Sequence, residues 1–300
     1  MSYSDLELLR EAQWRKASGD CVYFANAFCH ISHPAYGRML MDTTERPYQV
    51  MGFNALGGAY GRKVITLKAR QVGWTTTCAV RALWESLFFE DRYTLFISRR
   101  ELDAKDILAK SDYAWKWLPD WMRNERAPRR LDDASQVITF DNDSLIRSDQ
   151  SRSDPARGQT ATLIIADEFA TLPDQEESWA SMEPVADLGG RIFLLSSAKG
   201  IGNLFHVMVM GARTGRNGFH FIFVPWSAVP ERDQEWFETK SAELLPWIRA
   251  QEYPNDPDEA FISSGNMVFD LPALRRAELG VATPRMFSIN GTYALVPQDA

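Results

Sequence analysis

An α/β fold, with a central, mostly parallel sheet flanked by helices, is predicted by three observations. Apolar runs of strand length recur at 64–67, 93–98, 162–166, 191–195 and 219–224. Helix-spaced segments follow the first two of them, the βα alternation that builds parallel sheets. Polar residues suited to phosphate and metal chemistry sit just past the carboxyl ends of three runs, where open α/β sheets bind ligands.

Taken in order, residues 1–60 form a lead-in layer: a helix over 5–16, then an aromatic, irregular stretch interrupted by Pro34 and Pro47. From Lys63 the pattern changes. The β-branched run 64–67 predicts a strand, and Cys78, Ala79, Ala82, Leu83 and Leu87 stand at helical spacing behind it. The run 93–98 is a second strand, followed by a helix over 101–117. Segments 137–140 and 144–147 flank Asp141-Asn-Asp143 and predict a hairpin. The remaining runs bring the sheet to at least five strands and complete a core over 61–230. An acidic helix over 231–245 and a Pro-rich, linker-like stretch at 253–257 predict a small lid subdomain, 231–270, with 271–300 a further linker.

With 45% hydrophobic and 24% charged residues among 300, the chain can bury a sizeable core. No run reaches the roughly 18 apolar residues of a membrane span, and no basic leader opens the chain, so a cytoplasmic location is expected. Cys21, Cys29 and Cys78 show no CxxC pairing, which predicts reduced, buried thiols and neither a disulfide framework nor a zinc ribbon. A net charge of −7 excludes coating nucleic acid by global basicity, leaving local patches such as Arg99-Arg100 and Arg123, Arg126, Arg129 and Arg130.

The chemistry lies in three elements. Lys68-Ala-Arg-Gln-Val-Gly-Trp-Thr-Thr76 follows the register of the phosphate loop GxxxxGK[ST], in which backbone amides wrap phosphates and the hydroxyl reaches a metal. Gly73 and Thr75 obey that register, whereas Lys68 replaces the first glycine and Trp74 the lysine. A cation near the γ-phosphate is still needed, and Lys68 and Arg70 are the candidates. Asp167-Glu168 ends an apolar strand. Asp167 is expected to hold magnesium with Thr75, and Glu168 to orient and deprotonate water. Ser196-Ser197 ends the next strand, where hydroxyls suit a γ-phosphate sensor. Arg157-Gly158, in a polar stretch before the acidic pair, suits an arginine finger. The order predicts a P-loop NTPase of the ASCE, RecA-like type using ATP and Mg2+, with 64–67 and 162–166 as neighbouring parallel strands on which the assignment depends.

These residues, with Pro47-Tyr48-Gln49 upstream and Glu252-Tyr253-Pro254 to Phe261 downstream, resemble the ATPase domain of the large terminase subunit of tailed bacteriophages over about residues 20–270. The resemblance implies a motor that hydrolyses ATP to drive double-stranded DNA into a procapsid, in the host cytoplasm. It implies an adenine-recognising Gln49, loop residues Gln71, Val72, Gly73, Trp74, Thr75 and Thr76 on the nucleotide, and Arg157 acting on an adjacent subunit. Ser196, Ser197 and Ala198 would be the coupling motif, and a basic residue at the loop start is a known variant. The implied partners are a portal protein, a small terminase subunit and sister copies in a pentameric ring, with no membrane. The chain is expected to be an isolated motor domain without nuclease activity. Two alternatives stay open: a superfamily 2-type helicase fragment, since Asp167-Glu168-Phe169-Ala170 resembles its acidic box, and a non-hydrolysing nucleotide-binding docking module, favoured by Trp74.

Overall fold

Residues 3–131, 136–150, 160–261, 285–289 and 292–296 are described by the structure, a computed structural model. Helix α1 (Tyr3–Gly19) is followed by α2 (Cys21–Phe28), which the Asp20 carboxylate caps by accepting the Tyr23 N–H. An antiparallel hairpin, β1 (His30–His33) and β2 (Gly37–Leu40), leads to α3 (Pro47–Leu56). The core then runs β3 (Lys63–Lys68), α4 (Trp74–Phe88), β4 (Tyr93–Ser98), α5 (Glu101–Lys116), α6 (Asp120–Glu125), β5 (Val137–Thr139) and β6 (Leu145–Gln150). It continues with β7 (Leu163–Asp167), α7 (Gln175–Asp187), β8 (Arg191–Ser196), α8 (Leu204–Arg213) and β9 (His220–Val224). Short helices α9 (Gln234–Glu243), α10 (Pro246–Glu252) and α11 (Pro257–Ala260) end the unit Met1–Ile262. A second unit, Ser263–Ala300, contains the antiparallel hairpin β10 (Arg285–Ile289) and β11 (Thr292–Val296).

The central sheet has seven strands in the order β5-β6-β4-β7-β8-β3-β9, all paired in parallel except the edge pair β5 and β6. Side chains alternate between its faces, as the strand pleat requires. Val64, Leu163, Ile165, Phe193 and Leu195 join the layer that includes α2 to α5, while Ile65, Ile164, Ala166, Ile192 and Leu194 pack with α7 and α8. Burial on both faces explains why these strands read as continuous apolar runs.

Three expectations change. The strands β3 and β7 are not neighbours, because β8 pairs in parallel with both and lies between them. The two motifs still meet without adjacency, because both strands point the same way and long side chains bridge the gap across β8 (Lys68 to Glu168, 2.8 Å). The stretch after the first helix is ordered into α2, β1, β2 and α3, with Pro47 opening α3 at its first position, where its missing N–H is no loss. The segment 253–257 is no free linker. Pro254 O accepts the Trp226 N–H at 3.5 Å, the Trp226 indole donates to Asn255 Oδ1 at 2.9 Å, and Pro257 opens α11 behind an Asp256 cap.

The arginine-rich 123–130 patch is paired internally. Arg126 bridges to Glu7 and Glu11 of α1, Arg130 to Asp112, Arg123 to Asp120 and Arg129 to Asp141. These pairs tie α6 and its neighbours together and leave little net charge for a nucleic acid. No helix among the described residues is long and apolar enough to cross a membrane.

Candidate active site

The site is built at the carboxyl edge of β3, β7 and β8. Strand β3 ends at Lys68, which is only 5% exposed. The loop that follows alternates in hand: Gln71 (φ 56°) and Gly73 (φ 79°) are left-handed on either side of Val72. Such alternation turns successive N–H groups to one side and makes a concave anion nest. The N–H groups of Gln71, Val72 and Gly73 have no protein acceptor among the described residues. Gly73 is favoured by its φ, and a Cβ there, 2.6 Å from Gln49 Nε2, would displace that amide. It also gives α4 no side-chain cap, so the first-turn amides of this helix stay open to an anion.

Thr75 donates from its hydroxyl to Asp167 Oδ2 at 2.8 Å, and Asp167 Oδ1 accepts the Glu168 N–H at 2.9 Å. Glu168 sits at φ 51°, a left-handed turn that is rare outside glycine, just past the end of β7. Its carboxylate takes the Lys68 ammonium at 2.8 Å and, more weakly, the Ser196 hydroxyl at 3.4 Å. Ser196 in turn accepts the Ala170 N–H at 3.2 Å, which ties β8 to the turn after β7. The electrostatics follow from this crowding. Burial alone pushes the Lys68 ammonium down, but Glu168 and Asp167 together outweigh it and hold it above its ordinary value. Burial likewise acts to raise Glu168, yet Lys68, by charge and hydrogen bond, holds this carboxyl below its ordinary range. Asp167 is pushed up by burial and by the Glu168 charge, against the pull of Lys68. At neutral pH Lys68 and Glu168 form an ion pair.

Arg70 is placed differently. Its side chain is 60% exposed and reaches Glu252 Oε2 at 3.4 Å, and its N–H donates to Glu252 O at 2.8 Å. Lys68 therefore touches the acidic pair and Arg70 does not. Trp74 turns inward: it is 1% exposed and stacks on Phe193 at 5.6 Å, and a Cβ on Gly52 would lie 3.6 Å from its ring. Its main chain belongs to the loop while its indole is a core wedge. Thr76 faces a separate cavity of about 270 Å³ shared with Ser32, Lys110 and Tyr113. Gln49 is buried, with its amide nitrogen 3.4 Å from Val72 O. Ser197 lines the cavity that opens over Asp167 and Glu168. Arg157 and Gly158 lie outside the described residues.

Over Asp167 and Glu168 opens a cavity of about 510 Å³, bordered by Arg70, Arg99, Arg100 and Lys199. Lys199 and Arg232 were not anticipated. Arg232 donates to Arg70 O at 2.9 Å and to Gln71 O at 3.1 Å, a contact between positions too far apart in sequence for any local pattern to betray. Hydroxyl and carboxylate oxygens at Thr75 and Asp167 are the hard donor set that suits Mg2+.

A family model described as the terminase large subunit, T4likevirus-type, N-terminal, matches residues 65–230, more than half of the chain. The chain belongs to this family. Among solved structures, the terminase chain is similar to the Thermus phage P74-26 large terminase ATPase domain at 18% identity and a TM-score of 0.56, covering 77% of this chain and 99% of that one. The HK97 bacteriophage large terminase matches at 15% identity and a TM-score of 0.55, over 81% of this chain and 50% of that one. A large terminase from a thermophilic bacteriophage, in complex with ADP, matches at 13% identity and a TM-score of 0.51, over 67% and 50%. At these identities the likeness is one of fold. The terminase chain spans about half the length of the HK97 protein and of the ADP-bound one.

Proposed function

We propose that this terminase chain binds ATP in the nest at 71–76 and hydrolyses it, and that this hydrolysis drives double-stranded DNA into a procapsid. The observation that carries the reading is the convergence of Lys68, Glu168, Thr75 and Asp167 beside three unpartnered loop amides. Thr75 and Asp167 would hold Mg2+, which supplies charge neutralisation on the phosphate oxygens. Lys68 replaces the missing loop lysine. Arriving γ-phosphate oxygens compete for its ammonium, which frees the Glu168 carboxylate from the ion pair. Glu168 then accepts a proton from the attacking water as its oxygen bonds to the γ-phosphorus. The bond from phosphorus to the bridging oxygen breaks, and ADP and orthophosphate leave. Ser196 helps to hold Glu168 in place, and Ser196 and Ser197 sense the phosphate. Arg157 acts as the finger on a neighbouring subunit, and Gln49 recognises the adenine while its amide nitrogen also supports the loop at Val72 O.

At the level of the whole motor, we propose a pentameric ring on a portal protein, with a small terminase subunit, in the host cytoplasm, and residues 231–270 as the lid. The family match disfavours a helicase fragment. The docking module loses its main support, because Trp74 is a core side chain and Lys68 occupies the cationic position.

Mg2+-dependent ATP hydrolysis at high protein concentration tests the reading. Glu168→Gln is expected to lower kcat by about 10²–10⁴ with nucleotide still bound, and Lys68→Ala by about 10²–10³. Turnover by Glu168→Gln at the native rate would remove the assignment of the base.

A further inference from the structure

The phosphate loop binds through peptide N–H groups, so the direction of each peptide plane decides whether the loop can hold a phosphate at all. In a trans peptide the C=O of one residue and the N–H of the next point in opposite directions. The terminase chain contains no cis peptide among its described residues. Three successive loop carbonyls are each held by a side chain. Arg232 Nη1 donates to Arg70 O at 2.9 Å, Arg232 Nη2 to Gln71 O at 3.1 Å, and Gln49 Nε2 to Val72 O at 3.4 Å. Their opposite numbers are the N–H groups of Gln71, Val72 and Gly73, the three that have no protein acceptor among the described residues.

We propose that Arg232, with Gln49, is a positioning residue that orients these three amides toward the phosphates of the nucleotide. The assignment rests on the reading of this loop as the nucleotide site. Gln49 approaches from α3, and Arg232 from the segment between β9 and α9, so two elements distant in sequence hold the loop carbonyls. Arg232 is itself fixed. Its guanidinium lies 4.8 Å from the Trp236 ring centroid and 5.5 Å from that of Tyr253, and its neighbour Glu231 pairs with Arg46 at the start of α3. The fork shape matters, because one guanidinium spans two carbonyls where an ammonium meets them as a point. Nucleotide affinity thereby depends on where the segment that includes Arg232 and Tyr253 is seated: shifting it releases the carbonyls, and the amides lose their common direction.

The test compares the native chain with Arg232→Lys and Arg232→Ala, measuring affinity for a fluorescent ADP analogue, competition by inorganic pyrophosphate, and the KM and kcat of ATP hydrolysis. Arg232→Ala is expected to weaken both ligands by about tenfold, the order set by two net hydrogen bonds. KM should rise with kcat largely kept, as for an interaction equal in ground and transition states. Arg232→Lys, which keeps the charge between the two rings and guards against a folding defect, should fall between the two. Native affinity for pyrophosphate in both variants, or a fall in kcat at unchanged KM, overturns the role of Arg232 alone. A native chain that binds neither nucleotide nor pyrophosphate overturns the phosphate nest itself.

Discussion

At Trp74 the residue that breaks the ordinary loop pattern also explains how the pattern survives. An indole buried against Phe193 and beneath Gly52 cannot be exchanged for the usual lysine without leaving a void and an unpaired ammonium in the core. Trp74→Lys is therefore expected to destabilise the fold by about 3–5 kcal/mol, the range of large-to-small aromatic replacements, and not to restore turnover to Lys68→Ala. Thermal melting and an ATPase assay of the double variant check both points. The candidate residues Lys68, Thr75, Asp167 and Glu168 were legible because each lies at a fixed offset from a strand end, and strand ends can be read from apolar runs. Whether Lys68 or Arg70 faces the acids was not legible, since the choice depends on Glu252, far along the chain, drawing Arg70 away. Arg232 was invisible for the same reason.

Among the elements, the buried Glu85 of α4 shows how the layers are joined. It accepts from Arg191 at the start of β8 at 2.8 and 2.6 Å and from Arg81 at 2.8 Å, while Arg191 also reaches Leu56 O at the end of α3. Burial acts to raise the Glu85 carboxyl, but Arg191 and then Arg81 outweigh it and hold it below its ordinary 4.5. A carboxyl lowered on folding adds stability that is complete above about pH 4.5 and is lost as the pH falls through the lower folded value. Melting temperature should thus drop below pH 4.5 in the native chain and drop less in Glu85→Gln. Glu85→Ala at neutral pH should cost about 3–5 kcal/mol, because two arginines lose their shared partner. The sheet strands were legible from their β-branched and apolar runs, and the antiparallel edge pair from its Asx-rich turn. What failed was proline. Pro47 and Pro257 read as breaks but each opens a helix, and α2 and α3 were hidden by their mixture of aromatic and polar residues. Strand order was hidden too, because local sequence selects a strand without naming its neighbours.

For the whole molecule, a net charge of −7 and an arginine patch already paired with α1 and α5 direct DNA contact elsewhere, with Arg99 and Lys199 at the cavity rim as candidate cations, Arg100 being paired with Asp103. Binding to double-stranded DNA is expected to be sequence-independent and to weaken linearly in log–log form with salt, by about 0.9 per phosphate neutralised. A filter-binding titration at several salt concentrations measures that slope, and affinity unchanged between low and high salt would contradict phosphate contact. Strand β8 adds a constraint on any such motor. By standing between β3 and β7 and pairing in parallel with both, it acts as a spacer two ladder steps wide, about 10 Å. The sheet sets one spacing between the proposed phosphate loop and acid, so a stroke driven by the proposed hydrolysis is expected to arise off the sheet, with this edge serving as the anvil and not the hammer.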